Sequence, residues 1–461
     1  MSNVRRRPAG ATTPARRGLG LPAAVSIGVG GMIGAGIFSI LGVVAGVSGT
    51  ALPVSFVIGG VVACLSAYSY VKLGVRYPSV GGASQFLVEE FGDGLFSGAL
   101  NIFQYFAYII AIALYAHGFA GYALTFFPSS TPGWIEEALA VGIVVLFTLV
   151  NFLGSRIMGR AETVIVAIKV GVLVLFIAAG IFFVEPDRLA PSGWGEPQNL
   201  LFGAGVLFIG YEGFGLITNA AGEMTNPRRE LPRAIYLAMA LVIAIYVLVA
   251  IVVIGNLSLP ALKAAEDSAL AEAARPFLGQ FGFTLIAIAA LLSTSSAVNA
   301  TLFGAANVSY QVAKDGELPE RFTRKVWSRN SEGLFITAGL VAVFVVLFDL
   351  GPIAMMGSAA FLVVYAVVSV GHLRVHRETG ARPPIIWASL VALLVMFVLL
   401  MIYILNNQPA AAVALVATLA ISVIMEWVYR RRTGRRLHHL ADTSHRRNSN
   451  EGGKAGERNS S

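Results

Sequence analysis

Apolar runs of roughly twenty residues recur along nearly the whole chain, as in "AIYLAMALVIAIYVLVAIVVIG" from position 234 to 255. At about 1.5 Å per residue, such a run matches a hydrocarbon core of about 30 Å. Inside lipid every backbone N–H and C=O needs an internal partner, so only helices and closed barrels cross. A barrel would read as short alternating segments, which this chain lacks. The runs therefore predict an all-α polytopic membrane protein. Composition agrees: 56% of the 461 residues are hydrophobic and 13% charged, with mean hydropathy +0.74, where globular domains carry about 25% charged residues.

Twelve transmembrane helices are expected, at 21–47, 51–75, 96–127, 135–154, 162–184 and 199–222, then 234–256, 281–312, 333–350, 352–373, 384–405 and 409–430. Of the 33 Lys and Arg residues, 29 fall on one side of this arrangement, together with both ends of the chain. The positive-inside rule then predicts cytoplasmic termini in a plasma (inner) membrane. An arginine-rich tail over 1–20 replaces a cleavable signal, and 431–461 reads as a basic, disordered tail. The net charge of +8 follows this topology and the pull of anionic lipid, not nucleic-acid binding. A lone cysteine, Cys64, excludes a disulfide framework, and the six histidines form no zinc signature. Walker, nucleophile-elbow and metalloprotease motifs are absent, so an enzyme is not expected.

Two of the runs carry an unusual load of glycine. The first reads "GVGGMIGAGIFSI" over 28–40, and the sixth contains Gly203, Gly205, Gly210, Gly213 and Gly215. Each glycine weakens a helix by roughly 1 kcal/mol relative to alanine. One reading is close helix packing, since small residues let backbones approach; Gly28 and Gly31 fit it. The other is a pair of helices that unwind at mid-membrane, at corresponding places of two repeats, as in transporters that bind substrate on freed peptide groups. Bare backbone of that kind must line a protein cavity rather than lipid.

At these residues the chain resembles a known superfamily. "GGMIGAGIF" is similar to the first-helix signature of the amino acid–polyamine–organocation superfamily. "GYEGFGLITNAAGEMTNPRRELPRAI" resembles its sixth helix and following loop, and "LLSTSSAVNATLFGAANVSYQVAKDGELP" its eighth. The resemblance implies secondary active amino-acid transport by a ten-helix core over 21–376. That core would be an inverted five-plus-five repeat, about 21–184 and 199–376, with peripheral helices 11 and 12 over 384–430. It further implies that Gly34, Ala35 and Gly36, flanked by Met32 and Ile33, cradle a substrate carboxylate. Ile209, Gly210 and Glu212 would take the α-ammonium. Phe208 and Tyr211 adjoin them as gate or packing residues.

Two charges lie deep in apolar runs. Lys169 is nine residues beyond Arg160, roughly 13 Å into its helix, and so deep a charge is a functional-site candidate by default. In the resembling family, a lysine here contacts the broken first helix, and proton-coupled members use it where sodium-coupled relatives place an ion. Two roles stand open for Lys169: carrier of the coupled proton, or fixed ammonium clamping the first helix. Glu212 has three: attracting a cationic substrate group, joining a proton path, or pairing with Lys169. Ser293, Ser295, Ser296 and Asn299 are short polar groups on the eighth run; some bond their own backbone, and Ser293, Ser296 and Asn299 are candidate contacts to Lys169 or the pocket. The leading expectation is a proton-coupled amino-acid permease that needs no cofactor or metal beyond the coupling proton. The alternative is an amino acid or polyamine exchanger with cationic substrates. The paired broken helices argue against a channel or receptor. The partners implied are a small-molecule amino acid and the bilayer, with the oligomeric state left open.

Overall fold

The computed structural model describes residues 19–79, 81–128, 130–153, 158–314, 325–326 and 330–433. The basic tail expected beyond 433 and the N-terminal stretch before 19 lie outside the described residues. The first apolar run is three helices, α1 (Leu21–Met32), α2 (Ala35–Phe38) and α3 (Leu41–Ser48). A turn at Gly49, whose φ of +62° suits glycine, leads into α4 (Leu52–Arg76). There follow α5 (Ala83–Phe91), α6 (Leu95–Leu124), α7 (Trp134–Leu153) and α8 (Met158–Gly180). The sixth run is again divided: α9 (Pro197–Leu207), a 3₁₀ turn Phe208–Tyr211, and α10 (Phe214–Asn219). Next come α11 (Pro227–Asn256), the short α12 (Leu259–Ala264) and α13 (Ala269–Glu272), and α14 (Arg275–Lys314), kinked at Gly279. A two-residue hairpin, β1 (Lys325–Val326) with β2 (Asn330–Ser331), precedes α15 (Glu332–Leu347). Then α16 (Leu350–Thr379), α17 (Pro383–Asn407) and α18 (Pro409–Thr433) complete the chain.

Among the described residues, eleven helical stretches are long and apolar enough to cross a membrane. The remaining expected span is α15, with sixteen residues. That is about 24 Å of helix, short of a full hydrocarbon core. Helix α11 starts at Pro227 rather than at 234, because proline presets the first helical φ and the Glu230 carboxylate accepts the Asn226 N–H at 3.1 Å. The arginines 228, 229 and 233 thus sit on its first turns rather than in a loop. Helices α5, α12 and α13 were not expected, and Cys64 is only half-buried.

The core is built around α6, whose apolar stretch is wholly buried against α14, α16, α18, α7 and α15. Helix α1 packs on α11, α10 and α8, while α9 packs on α3, α4 and α17. Helices α7 and α8, 28% buried, and α17 and α18, 33% buried, leave broad apolar faces for lipid. The breaks of both divided helices, at Met32 and Ile33 and at Phe208–Glu212, are buried in protein, where irregular backbone is tolerated.

Candidate functional site

Helix α1 stops at Met32, where the Ile33 N–H still reaches Val29 O at 2.8 Å. In the last turn of α1 and beyond it, side chains from four other helices bond to backbone carbonyls. Lys169 Nζ on α8 donates to Gly30 O at 2.8 Å. Tyr246 on α11 donates its hydroxyl to Met32 O. Ser293 on α14 donates to Ile33 O at 2.5 Å and lies 3.3 Å from Gly34 O. Tyr122 on α6 donates to Phe38 O at 2.8 Å. A carbonyl left bare in an apolar interior costs several kcal/mol, which accounts for this concentration of donors.

The sixth run is held open in the same way. The Ser358 hydroxyl on α16 accepts the Ile209 N–H at 3.0 Å and donates to Val206 O at 2.6 Å, standing in for a helical peptide group. Seven residues on, along the same face of α16, Tyr365 donates to Glu212 O at 3.0 Å. The Glu212 side chain is buried and accepts from the Tyr115 hydroxyl on α6 at 3.0 Å. The two divided helices touch backbone to backbone. A Cβ on Gly210 would lie 3.3 Å from Gly36 Cα, and one on Gly213 would lie 2.5 Å from Met32 N. These glycines serve close approach as well as the breaks, and Gly28, facing Ile217, serves packing.

Met32, Ile33, Gly34, Gly36, Phe208, Ile209, Gly210 and Glu212 are thus brought together and buried, and the Ala35 backbone lies in α2. Lys169 and Ser293 join them through carbonyls of the first break. Tyr211 turns away, donating to Phe56 O at 2.9 Å, so it packs against α4. The Phe208 ring faces Tyr365 edge-on at 5.8 Å. Ser296 is buried on α14. Asn299 accepts from Asn151 on α7 at 2.8 Å, a helix-to-helix contact. A cavity of about 560 Å³ opens beside α3, walled by Glu136, Lys263, Asp267 and Asp349 among others. At the far end of the divided helices, the Leu19 N–H bonds to Glu223 O at 2.9 Å.

Sequence reasoning missed Tyr115, Tyr122, Tyr246, Ser358 and Tyr365. A signal existed: a tyrosine buried in an apolar helix needs a partner for its hydroxyl. Which neighbour it meets depends on helix rotation, which the residues alone do not reveal.

Known proteins similar to this chain fit the arrangement. An uncharacterized protein of Methanocaldococcus jannaschii is 44% identical over 90% of this chain and 96% of its own length. The inner membrane transport protein YbaT of Escherichia coli is 33% identical, again over 90% of this chain and 96% of its own. A methylthioribose transporter of Bacillus subtilis is 27% identical over 77% of this chain and 81% of its own. The family model described as amino acid permease matches residues 19–427. The chain is a multi-pass membrane protein of the amino acid permease family, a family of transporters of small molecules and not of enzymes.

Proposed function

We propose that this transporter carries amino acids into the cell together with a proton, by alternating access, from a membrane in which both termini face the cytoplasm. The observation that carries the reading is the buried, backbone-to-backbone meeting of the two divided helices beside a buried lysine. N–H groups from Gly34 to Gly36 would take the substrate carboxylate, and second lone pairs of carbonyls around Ile209 and Gly210 its ammonium. Residues 21–184 and 199–376 would form the two inverted repeats. Lys169 is the proposed coupling group: its ammonium ties α8 to the last turn of α1 through Gly30 O. A charge-assisted hydrogen bond is roughly twice as strong as a neutral one, so loss of the proton loosens α1. Glu212 supports a second reading, exchange of cationic amino acids or amines, because its carboxylate lies at the sixth-helix break.

The test is uptake of a panel of labelled amino acids and amines into proteoliposomes, with and without an imposed pH gradient. Saturable amino-acid uptake that accelerates when the outside is acidified is expected, and Lys169→Ala should lose that acceleration. An unchanged gradient response in Lys169→Ala removes the coupling role. Amine-only uptake abolished by Glu212→Gln favours the second reading.

A further inference from the structure

Helix α5 is bounded by two glycines with positive φ, Gly82 at +52° and Gly92 at +77°. A Cβ on Gly92 would meet nothing within 4 Å, so backbone conformation and not packing accounts for glycine there. Just past it, Asp93 accepts from Arg430 on α18, which also donates to Glu426 at 2.9 Å. The chain is thus fixed beyond the second glycine, while α5 itself packs on α16, α6 and α10. It braces the end of the sixth run. A Cβ on Gly82 would lie 1.9 Å from Asn219 Oδ1, at the last residue of α10. Phe86 stands edge-on to Tyr70 at 5.7 Å, and Tyr70 edge-on to Phe214 of α10 at 5.3 Å.

Into this packing α5 carries one carboxyl. Glu90 is 7% exposed, and neither of its oxygens has a hydrogen-bond partner among the described residues. It fits because position 371 on α16 is glycine: a Cβ there would lie 2.1 Å from Glu90 Oε2. Arg374, one turn further along α16, places its guanidinium over the Phe91 ring at 4.6 Å rather than on the carboxyl. His372 engages Ser69 and Thr379 through its ring nitrogens, and His376 bonds back to Leu373 O. Glu89 accepts from Gln85 at 2.9 Å. Helix α10 carries no titratable side chain, nor do residues 95–104 of α6, and Tyr70 of α4 lies within electrostatic reach. Ionised in place, the Glu90 carboxylate would have neither water nor a donor.

We propose that α5 is a proton-operated latch over the end of the sixth run. With its proton, Glu90 stays docked against Gly371. When the carboxyl O–H gives its proton to water, the ionised group leaves the pocket and α5 turns about Gly82 and Gly92. Arg374 then stands one turn away to meet the carboxylate. Acid on this side of the membrane therefore holds the end of the sixth run covered. It is the side on which Leu19 meets Glu223. Resting on the reading proposed above, that side is the cytoplasm, and protons carried in would slow further turnover.

Pulsed dipolar spectroscopy on the full-length protein in lipid nanodiscs tests this, with spin labels on Glu89→Cys and Arg229→Cys in a Cys64→Ser background. Both labelled positions are exposed. One pH bathes both sides of a nanodisc, so the result depends on neither the orientation nor the proton coupling proposed above. With Glu90 in place, the docked distance should dominate at about pH 5, and the share of a second distance should grow about tenfold or more towards about pH 9. Glu90→Gln keeps the shape, cannot ionise, and should hold the docked distance throughout. Should the amide destabilise the fold, Glu90→Met, equally unable to ionise, gives the same comparison. A distribution that stays unchanged with Glu90 in place, or a pH response that survives its replacement, overturns the latch.

Discussion

Ser358→Ala removes the group that stands in for a peptide bond in the sixth-run break. Its hydroxyl makes two buried hydrogen bonds, to Ile209 N at 3.0 Å and Val206 O at 2.6 Å. In soluble proteins an orphaned buried group costs about 1–3 kcal/mol. Side-chain bonds between membrane helices average about 0.6 kcal/mol, with a maximum near 1.7. Two such bonds bracket the loss between about 1 and 3 kcal/mol. The site is buried, so water does not repair it cheaply, and the small void left by one oxygen adds little. Thermal unfolding in one fixed detergent should show a drop of several degrees, and Ser358→Thr, which keeps the hydroxyl, should recover part of it. A Ser358→Ala melting temperature indistinguishable from wild type would refute the reasoning and leave the glycines as the sole cause of the break.

Two further outcomes follow. Glu90, on α5, is buried, and its carboxyl oxygens have no hydrogen-bond partner among the described residues. Burial pushes this carboxyl well above the usual carboxylate range, against the pull of Arg374. Its protonated form is thus favoured by folding, so stability is full below the unfolded value near 4.5 and falls as pH rises through the folded value. Glu90→Gln should flatten that part of the melting-temperature profile, and parallel profiles for the two proteins would contradict it. At Gly203 a Cβ would lie 1.7 Å from Ser48 Oγ. Gly203→Ala should therefore cost about 1–3 kcal/mol, and adding Ser48→Ala should return part of it; equal melting temperatures for the single and double variants would disprove the contact.

The long elements were legible because apolar length is a one-dimensional signal. The run expected at 384–405 is α17 at Pro383–Asn407, and both glycine-loaded runs are divided where the glycines cluster. Helix α5 was missed because "ASQFLVEEF" is amphipathic but too short to span, and so passed as a loop between two runs. The side chains that close the site were hidden for a different reason. In a helix buried on most sides, apolar residues surround the polar ones, and no hydrophobic stripe reveals which way Tyr246 or Ser358 faces. Asn299 illustrates the cost: a polar residue on the eighth run reads equally well as a pocket contact or, as found, a bond to Asn151.

The donors on the first break also constrain how it moves. Gly30, Met32, Ile33 and Phe38 are tied through their carbonyls to α8, α11, α14 and α6 respectively. Any swing of the first run away from α6, α8 and α14 must exchange three of these bonds for water or substrate, because bare carbonyls are too costly in this interior. Two of the three are neutral hydroxyl bonds, which exchange for water at small net cost. The third comes from an amine whose charge depends on a proton. In the proposed cycle that bond therefore decides when the segment is free, and a single protonation event at Lys169 has a mechanical effect out of proportion to one hydrogen bond.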